Sequence, residues 1–241
     1  MSAIEANLQA VRQRISATAG RCGRPAMTIT LLAVSKTRPV SDVVKAILAG
    51  QHDFGENYAQ EGVDKILALR ALAQQGMLPE SALLVWHFVG PLQGNKTRLV
   101  AEHFDWAHSI ERLKIAERLS AQRPARLLPL QVCVQVNVSG EASKSGCAPE
   151  EALDLCQAVA ALPRLNLRGL MCVPAPARDF AAQCRPLLHL RQLFMEIKAR
   201  CPTLDTLSMG MSGDLEAAVQ SGSTLVRIGS AIFGQRTNNK K

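Results

Sequence analysis

Aromatic side chains are scarce in this 241-residue sequence: six phenylalanines, two tryptophans and one tyrosine make up 4%. That argues against a base-stacking platform for nucleic acid. The formal charge of +8 does not restore the idea, because the 28 lysines and arginines are spread along the chain, with only Lys240 and Lys241 as a terminal pair. The basicity reads as a general attraction to anions, phosphate included. No apolar run approaches the length of a membrane span. The N-terminus carries helical spacing (Ile4, Leu8, Val11, Ile15) with Glu5 in the first turn, unlike a secretory signal, so the expected location is the cytoplasm. The seven cysteines are odd in number and scattered, with no CxxC pair and no histidine at metal-ligand spacing. They read as reduced, buried small hydrophobes. Repeats, low-complexity tracts and linkers are also missing. With 47% hydrophobic and 20% charged residues, the chain is expected to form a single domain over 1–241.

What is present is a strict alternation. Apolar, β-prone runs fall at Thr28–Ser35, His52–Gly55, Leu83–Phe88, Phe104–His108, Leu130–Asn137, Asn166–Met171, Asp205–Ser208 and Thr224–Ile228. Helix-period segments lie between them, at Ser41–Ala49, Tyr58–Gln74, Asn95–Glu102, Glu111–Ala121, Pro149–Ala161, Phe180–Arg200 and Asp214–Gln220. Eight βα units without a long gap predict an α/β fold, a closed (β/α)8 TIM barrel with an extra N-terminal helix. Ser41 and Asp42 are expected to cap the first crossover helix, with Gly50 and Gly222 closing helices.

The stretch ITLLAVSKTR, Ile29 to Arg38, delivers a lysine to the C-terminal end of a buried strand. An ammonium there either snorkels to water or, when desolvated, loses its proton and becomes a nucleophile toward carbonyls. Lys36 is therefore a candidate Schiff-base residue. Barrel active sites collect at the C-terminal strand ends. The residues just after each strand form a polar, glycine-bearing rim: Lys36; Glu56 and Asn57; Gly90; Ser109; Asn137 with SGEASKSG; Cys172; Met209, Met211 and Ser212; Gly229 and Ser230.

The last two units carry the most chemistry. LSMGMSGDLEAA puts Ser212, Gly213 and Asp214 at a helix start, and LVRIGSAIFG ends a strand in Arg227 before Gly229 and Ser230. Together these loops read as a phosphate cup, although Ser212 or Asp214 is equally an ordinary N-cap residue. Arg227 alternates with Val226 and Ile228 and so points toward the barrel mouth, as a phosphate clamp, a donor to a ring nitrogen, or one half of a structural salt bridge. His87, inside VWHFVG, is either an interlayer histidine or a general base.

In order along the chain, AVSKTRP, FGENYAQE, WHFVGPLQGNK, VNVSGEASKSG, LRGLMCVPAP and LSMGMSGDLEAAVQSGSTLVRIGSAIFG resemble the motifs of the pyridoxal phosphate homeostasis family, the proline synthase co-transcribed homologues. That family is similar to the N-terminal barrel of alanine racemase. The resemblance covers nearly the whole chain, and six ordered motifs are specific together. It implies pyridoxal 5′-phosphate (PLP) as cofactor, bound as a Schiff base at Lys36, with Asn57 beside the ring. Ser212, Gly229 and Ser230 would sit on the phosphate, Arg227 would face the pyridine nitrogen, and Met209 joins the set as its rim neighbour. The family's commoner pattern has aspartate where Gly213 stands and threonine where Ser230 stands; Ser230 keeps a hydroxyl for phosphate.

The same resemblance implies a non-catalytic role in intracellular vitamin B6 homeostasis. An arginine at the pyridine nitrogen makes a weak electron sink. Racemisation needs acid–base groups on both faces of the substrate carbon, and in the racemase the second is a tyrosine from an additional C-terminal domain. This sequence ends shortly after the eighth strand and has one tyrosine, Tyr58. The expectation is a monomeric PLP carrier, with PLP-dependent apo-enzymes as the partner class and neither nucleic acid nor membrane. The alternatives are a single-domain amino-acid racemase using groups such as His87 or Cys172, and a phosphate-sugar barrel that leaves Lys36 without a role. Lys144 is a second loop lysine, either solvated or placed to meet PLP during loading or release.

Overall fold

The computed structural model describes residues 2–79, 83–140 and 145–235; Lys144 lies outside the described residues. Strands β1 (Thr30–Val34), β2 (Asp53–Glu56), β3 (Val85–Phe88), β4 (Trp106–Ile110), β5 (Leu130–Gln135), β6 (Leu165–Met171), β7 (Thr206–Ser208) and β8 (Leu225–Ile228) pair in parallel and in sequence order. β1 pairs with β8 over Thr30↔Leu225 to Ala33↔Ile228, which closes the barrel. Each expected strand is present, most of them trimmed by a residue or two at the ends.

Helices α1 (Ala3–Arg21), α2 (Val40–Leu48), α3 (Ala59–Gln74), α4 (Thr97–His103), α5 (Leu113–Gln122), α6 (Ala152–Ala160), α7 (Phe180–Lys198), α8 (Leu215–Gln220) and α9 (Ser230–Phe233) surround it. Among the described residues, no helix is long and apolar enough to cross a membrane.

Strand parity sorts the side chains. Phe54, Trp86, Phe88, Ala107, Val132, Val226 and Ile228 face the helices and belong to one continuous core. The alternate positions face the barrel axis, where they touch one another. Trp106 stacks on His87 with ring centroids 5.3 Å apart, and the Arg168 guanidinium lies 4.9 Å from the Trp106 ring centroid. Arg168 also donates to Asp205 Oδ1 at 3.0 Å and Gln131 Oε1 at 2.9 Å, plugging the N-terminal mouth. β6 runs so close to β7 that a Cβ on Gly169 would collide with the Thr206 carbonyl, which explains a glycine inside a strand.

Helix α1 substitutes for a short last unit. Ser2 and Glu5 form a capping box, each side chain accepting from the other's backbone N–H at 3.2 Å. Its stripe of Ile4, Leu8, Val11 and Ile15 is buried against α2, α8 and the single turn of α9. Asn7 Nδ2 donates to Ile232 O at 2.9 Å, and Arg24 donates to Val219 O at 2.6 Å and Ser223 O at 2.7 Å.

The start of α2 differs from the expectation, and the glycine ends agree with it. Ser41 and Asp42 do not cap α2: the cap position is Pro39, whose φ of −67° is preset by its ring, and both residues fall inside the first turn. Asp42 still places a carboxylate near the positive end of the helix. Gly50 (φ +75°) and Gly222 (φ +101°) follow α2 and α8 in the left-handed conformation, as expected for helix ends.

Because Leu8 is fully buried between α1 and the barrel's outer layer, Leu8→Ala is expected to lower unfolding free energy by about 2–5 kcal/mol. Urea denaturation measures it, and a loss below about 1 kcal/mol would mean that α1 is not part of the cooperative core.

Candidate functional site

The site begins with the turn that follows β1. Thr37 is a non-glycine residue at φ +61°, a conformation costing about 1–2 kcal/mol that surrounding contacts must maintain. Those contacts come from one cluster on β2 and α3. Thr37 N–H donates to Glu61 Oε1 at 2.6 Å, and Ser35 Oγ donates to Glu56 Oε1 at 2.6 Å. Lys65 Nζ donates to Ser35 O at 2.6 Å, Glu56 Oε1 at 2.8 Å and Glu61 Oε1 at 2.7 Å. The residues on both sides of Lys36 are thus tied to the same ionic knot. Glu56 and Lys65 are both buried. Desolvation pushes the Glu56 carboxyl upward, and the Lys65 charge and hydrogen bond oppose it. Glu56, a member of the expected rim, therefore supports Lys36 from behind.

A cavity of about 580 Å³ opens at the C-terminal ends of the strands. Lys36, Asn57, Ser212, Arg227, Gly229 and Ser230, brought from β1, β2, β7 and β8, all line it. Met209 does not. It is fully buried and joins the helix-facing core, because strand parity turns Ser208 inward and its successor outward; Met211 lines the cavity in its place. Arg38 and the apolar Val34, Val89, Val173 and Phe233 complete much of the wall. The AVSKTRP motif by itself assigns Arg38 no role. It donates to the carbonyl oxygens of Gly234 and Gln235, the latter at 2.9 Å, holding the segment after α9 over the site.

The loops after β7 and β8 converge. Ser212 Oγ accepts from the Ala231 N–H at 3.3 Å, and Asp214 Oδ1 turns back to accept from the Met211 N–H at 2.6 Å. Asp214 occupies the cap position of α8 but makes no side-chain capping bond. Gly90 explains its motif: a Cβ there would collide with the backbone of Asn57, while Ser109 Oγ holds the Gly90 carbonyl at 2.6 Å.

Arg227 is buried, and its guanidinium is fully directed. NH1 donates to Ser208 O at 2.6 Å and Ser208 Oγ at 2.8 Å, and NH2 donates to Cys172 O at 2.8 Å. Burial lowers its pKa, with Cys172 and Asp214 pulling the other way. Beneath it lie two histidines. His108 Nδ1 is 2.8 Å from Ser208 Oγ, His108 Nε2 is 2.9 Å from His87 Nδ1, and His87 Nε2 is 3.2 Å from Asp53 Oδ1. His87 is therefore an interlayer residue and does not line the cavity. Cys172 is buried as well, and desolvation pushes its thiol up to about 12. His108 and Ser208 had no role in the sequence reading. The histidine inside the strand WAHSI was the signal available.

The sequence profile described as "Alanine racemase, N-terminal domain" matches residues 1–237. A protein of Escherichia coli strain K12, named pyridoxal phosphate homeostasis protein, is 56% identical over 241 residues, with 100% of each chain covered. Among solved structures, a protein from Bifidobacterium adolescentis superposes with a TM-score of 0.88 at 37% identity, over 96% of this chain and 94% of its own. PipY of Synechococcus elongatus, solved with PLP bound, gives a TM-score of 0.76 at 32% identity, over 93% of this chain and 100% of its own.

Lys65→Met removes the cation from a buried carboxylate and is expected to cost about 3–5 kcal/mol in unfolding free energy. In the background of Glu56→Gln the same substitution should cost much less, since no buried charge is left uncompensated. Equal costs in the two backgrounds, measured by denaturation, would show that the pair is not coupled.

Proposed function

The chain belongs to the alanine racemase N-terminal domain family, and on that premise we propose that it binds PLP and serves vitamin B6 homeostasis as a carrier rather than as a racemase. The observation that carries the reading is the convergence of six side chains and backbone positions, Lys36, Asn57, Ser212, Arg227, Gly229 and Ser230, on one cavity. Its donor set suits the cofactor: an amine, a guanidinium with fixed orientation, two hydroxyls and a glycine backbone. PLP supplies an aldehyde that reacts with amines and a pyridine ring that can draw electrons. In this reading Lys36 engages the aldehyde, held in place by the Ser35 and Thr37 anchors. Ser212, Gly229 and Ser230 take the phosphate, and Asn57 flanks the ring. Arg227 donates to the pyridine nitrogen, and because arginine stays protonated it cannot supply that nitrogen with a full proton. We read residues 1–241 as one PLP-binding domain.

The wall of the cavity favours a carrier. Among the described residues that line it there is no carboxylate, imidazole, phenol or thiol, so Lys36 is the one group there suited to moving a proton. Tyr58 stands half exposed at the start of α3, His87 is engaged beneath Arg227, and Cys172 holds its proton. A racemase needs a second acid–base group within hydrogen-bond reach of the substrate carbon. The carrier reading extends to delivery of PLP to apo-enzymes by a monomer in the cytoplasm. The names and ligand of the relatives support the cofactor.

The test is an absorption spectrum of the protein with PLP, wild type beside Lys36→Ala, followed by borohydride reduction and peptide mass spectrometry. The expected result is a reduced adduct at Lys36, lost in the variant, and no interconversion of L- and D-alanine above the rate with PLP alone. An adduct scattered over many lysines would return the phosphate-sugar barrel, and alanine racemisation dependent on Lys36 would return the enzyme.

A further inference from the structure

We propose that His108 and His87 are positioning residues for Arg227: they form, with Ser208 and Asp53, a one-way hydrogen-bond chain through the barrel axis that orients the ring-facing guanidinium and makes it sensitive to the far mouth. What Arg227 faces rests on the PLP reading above. The chain itself rests on geometry alone.

Its direction follows from the donor and acceptor inventory. Arginine has only donors, so Ser208 Oγ must accept from Arg227 NH1 at 2.8 Å. The hydroxyl proton is then available to His108 Nδ1 at 2.8 Å, and in this chain that nitrogen is the acceptor. His108 therefore carries its proton on Nε2 and donates it to His87 Nδ1 at 2.9 Å. His87 in turn is protonated at Nε2 and donates to the Asp53 carboxylate at 3.2 Å. Every donor finds an acceptor, with a cation at one end and an anion at the other. The reverse direction would aim two donors at the Ser208 hydroxyl and oblige its own proton to find a third group.

The surroundings favour the same state. His108 is fully buried, and desolvation holds its pKa well below the ordinary histidine value; a charge on His87 would lower it further, and the Arg227 charge adds to the effect. Trp106 covers one face of His87 at 14° to its ring, leaving the edge nitrogens to the chain. Asp53 is the first residue of β2 and lines a cleft of about 230 Å³ at the N-terminal strand ends, with Thr30, Arg168 and Asp205. The chain thus spans from that cleft to the cavity, and Asp53 does not touch the cavity it would influence.

The first measurement is a long-range 1H–15N imidazole spectrum of the protein without PLP, which must show His87 and His108 both as neutral Nε2–H tautomers. An Nδ1–H tautomer or a cation at His108 would overturn the chain. The second uses PLP affinity and the visible absorption of bound PLP. Ser208→Ala removes the link at the arginine and is expected to weaken PLP binding about tenfold, the scale of one hydrogen bond to a charged group. Asp53→Asn, at the partly exposed end, should shift the visible band or its titration midpoint, and Thr30→Val in the same cleft should not. If both Ser208→Ala and Asp53→Asn bind PLP with wild-type affinity and spectrum, the positioning role is wrong. Failure of the wild type to bind PLP would instead count against the proposed function, and the imidazole spectra would still decide the chain.

Discussion

Closure of the eight-stranded sheet is the constraint from which the rest of this molecule follows. A closed parallel barrel has no edges and gives each strand side chain two destinations, the helix layer or the axis. The helix layer absorbs Phe54, Phe88, Phe104 and the aliphatic core, which supplies the hydrophobic driving force. The axis is narrow, and here much of it is filled with polar groups that face one another. Those groups have little choice but to pair, because an unsatisfied buried donor or acceptor costs about 1–3 kcal/mol. The polar axis is possible because the outer layer supplies the stability.

Two buried polar systems meet the site from different sides. Behind β1, the Glu56–Lys65–Glu61 cluster clamps Ser35 and Thr37 and so determines where Lys36 emerges. Such a cluster adds less to stability than a hydrophobic replacement could, because desolvation offsets most of the attraction. Its value lies in geometry: a strained turn at φ +61° is held in one conformation. Beneath β8, the axial chain does the same for Arg227. Both devices fix the direction of a basic side chain.

This division fits the proposed carrier, which would hold a reactive cofactor without consuming a substrate on it. The cavity wall offers an amine, two guanidinium groups, hydroxyls and apolar surface, and the groups that could act as further bases are turned to other tasks. His87 and His108 are committed to each other, and Cys172 lends its carbonyl to Arg227 while its thiol stays protonated. The arrangement relies on positioning more than on proton transfer. The single turn of α9, roofed by α1 and tied down through Arg38, closes the Ser212 and Ser230 side of the cavity with contacts from the N-terminal region.

By itself, the sequence determined the fold and which strand ends would gather around the cavity. Alternation of period-2 and period-3.6 segments is local, so the eight strands and their intervening helices were legible, and the residues after each strand were bound to gather at one end. Lys36, Asn57, Ser212, Arg227, Gly229 and Ser230 could be chosen on that ground together with a family resemblance. Tertiary structure decided which neighbours those residues have. Met209 and Met211 look alike in LSMGMSG, and only strand parity in the closed barrel puts one in the core and the other on the cavity. Glu56 read as a rim carboxylate until α3 brought Lys65 against it. Ser208 and His108 are 100 residues apart, and nothing local in either strand announces their hydrogen bond. Local pattern sets the direction of a side chain, but the partner it meets depends on the stagger between strands, which exists only once the barrel has closed.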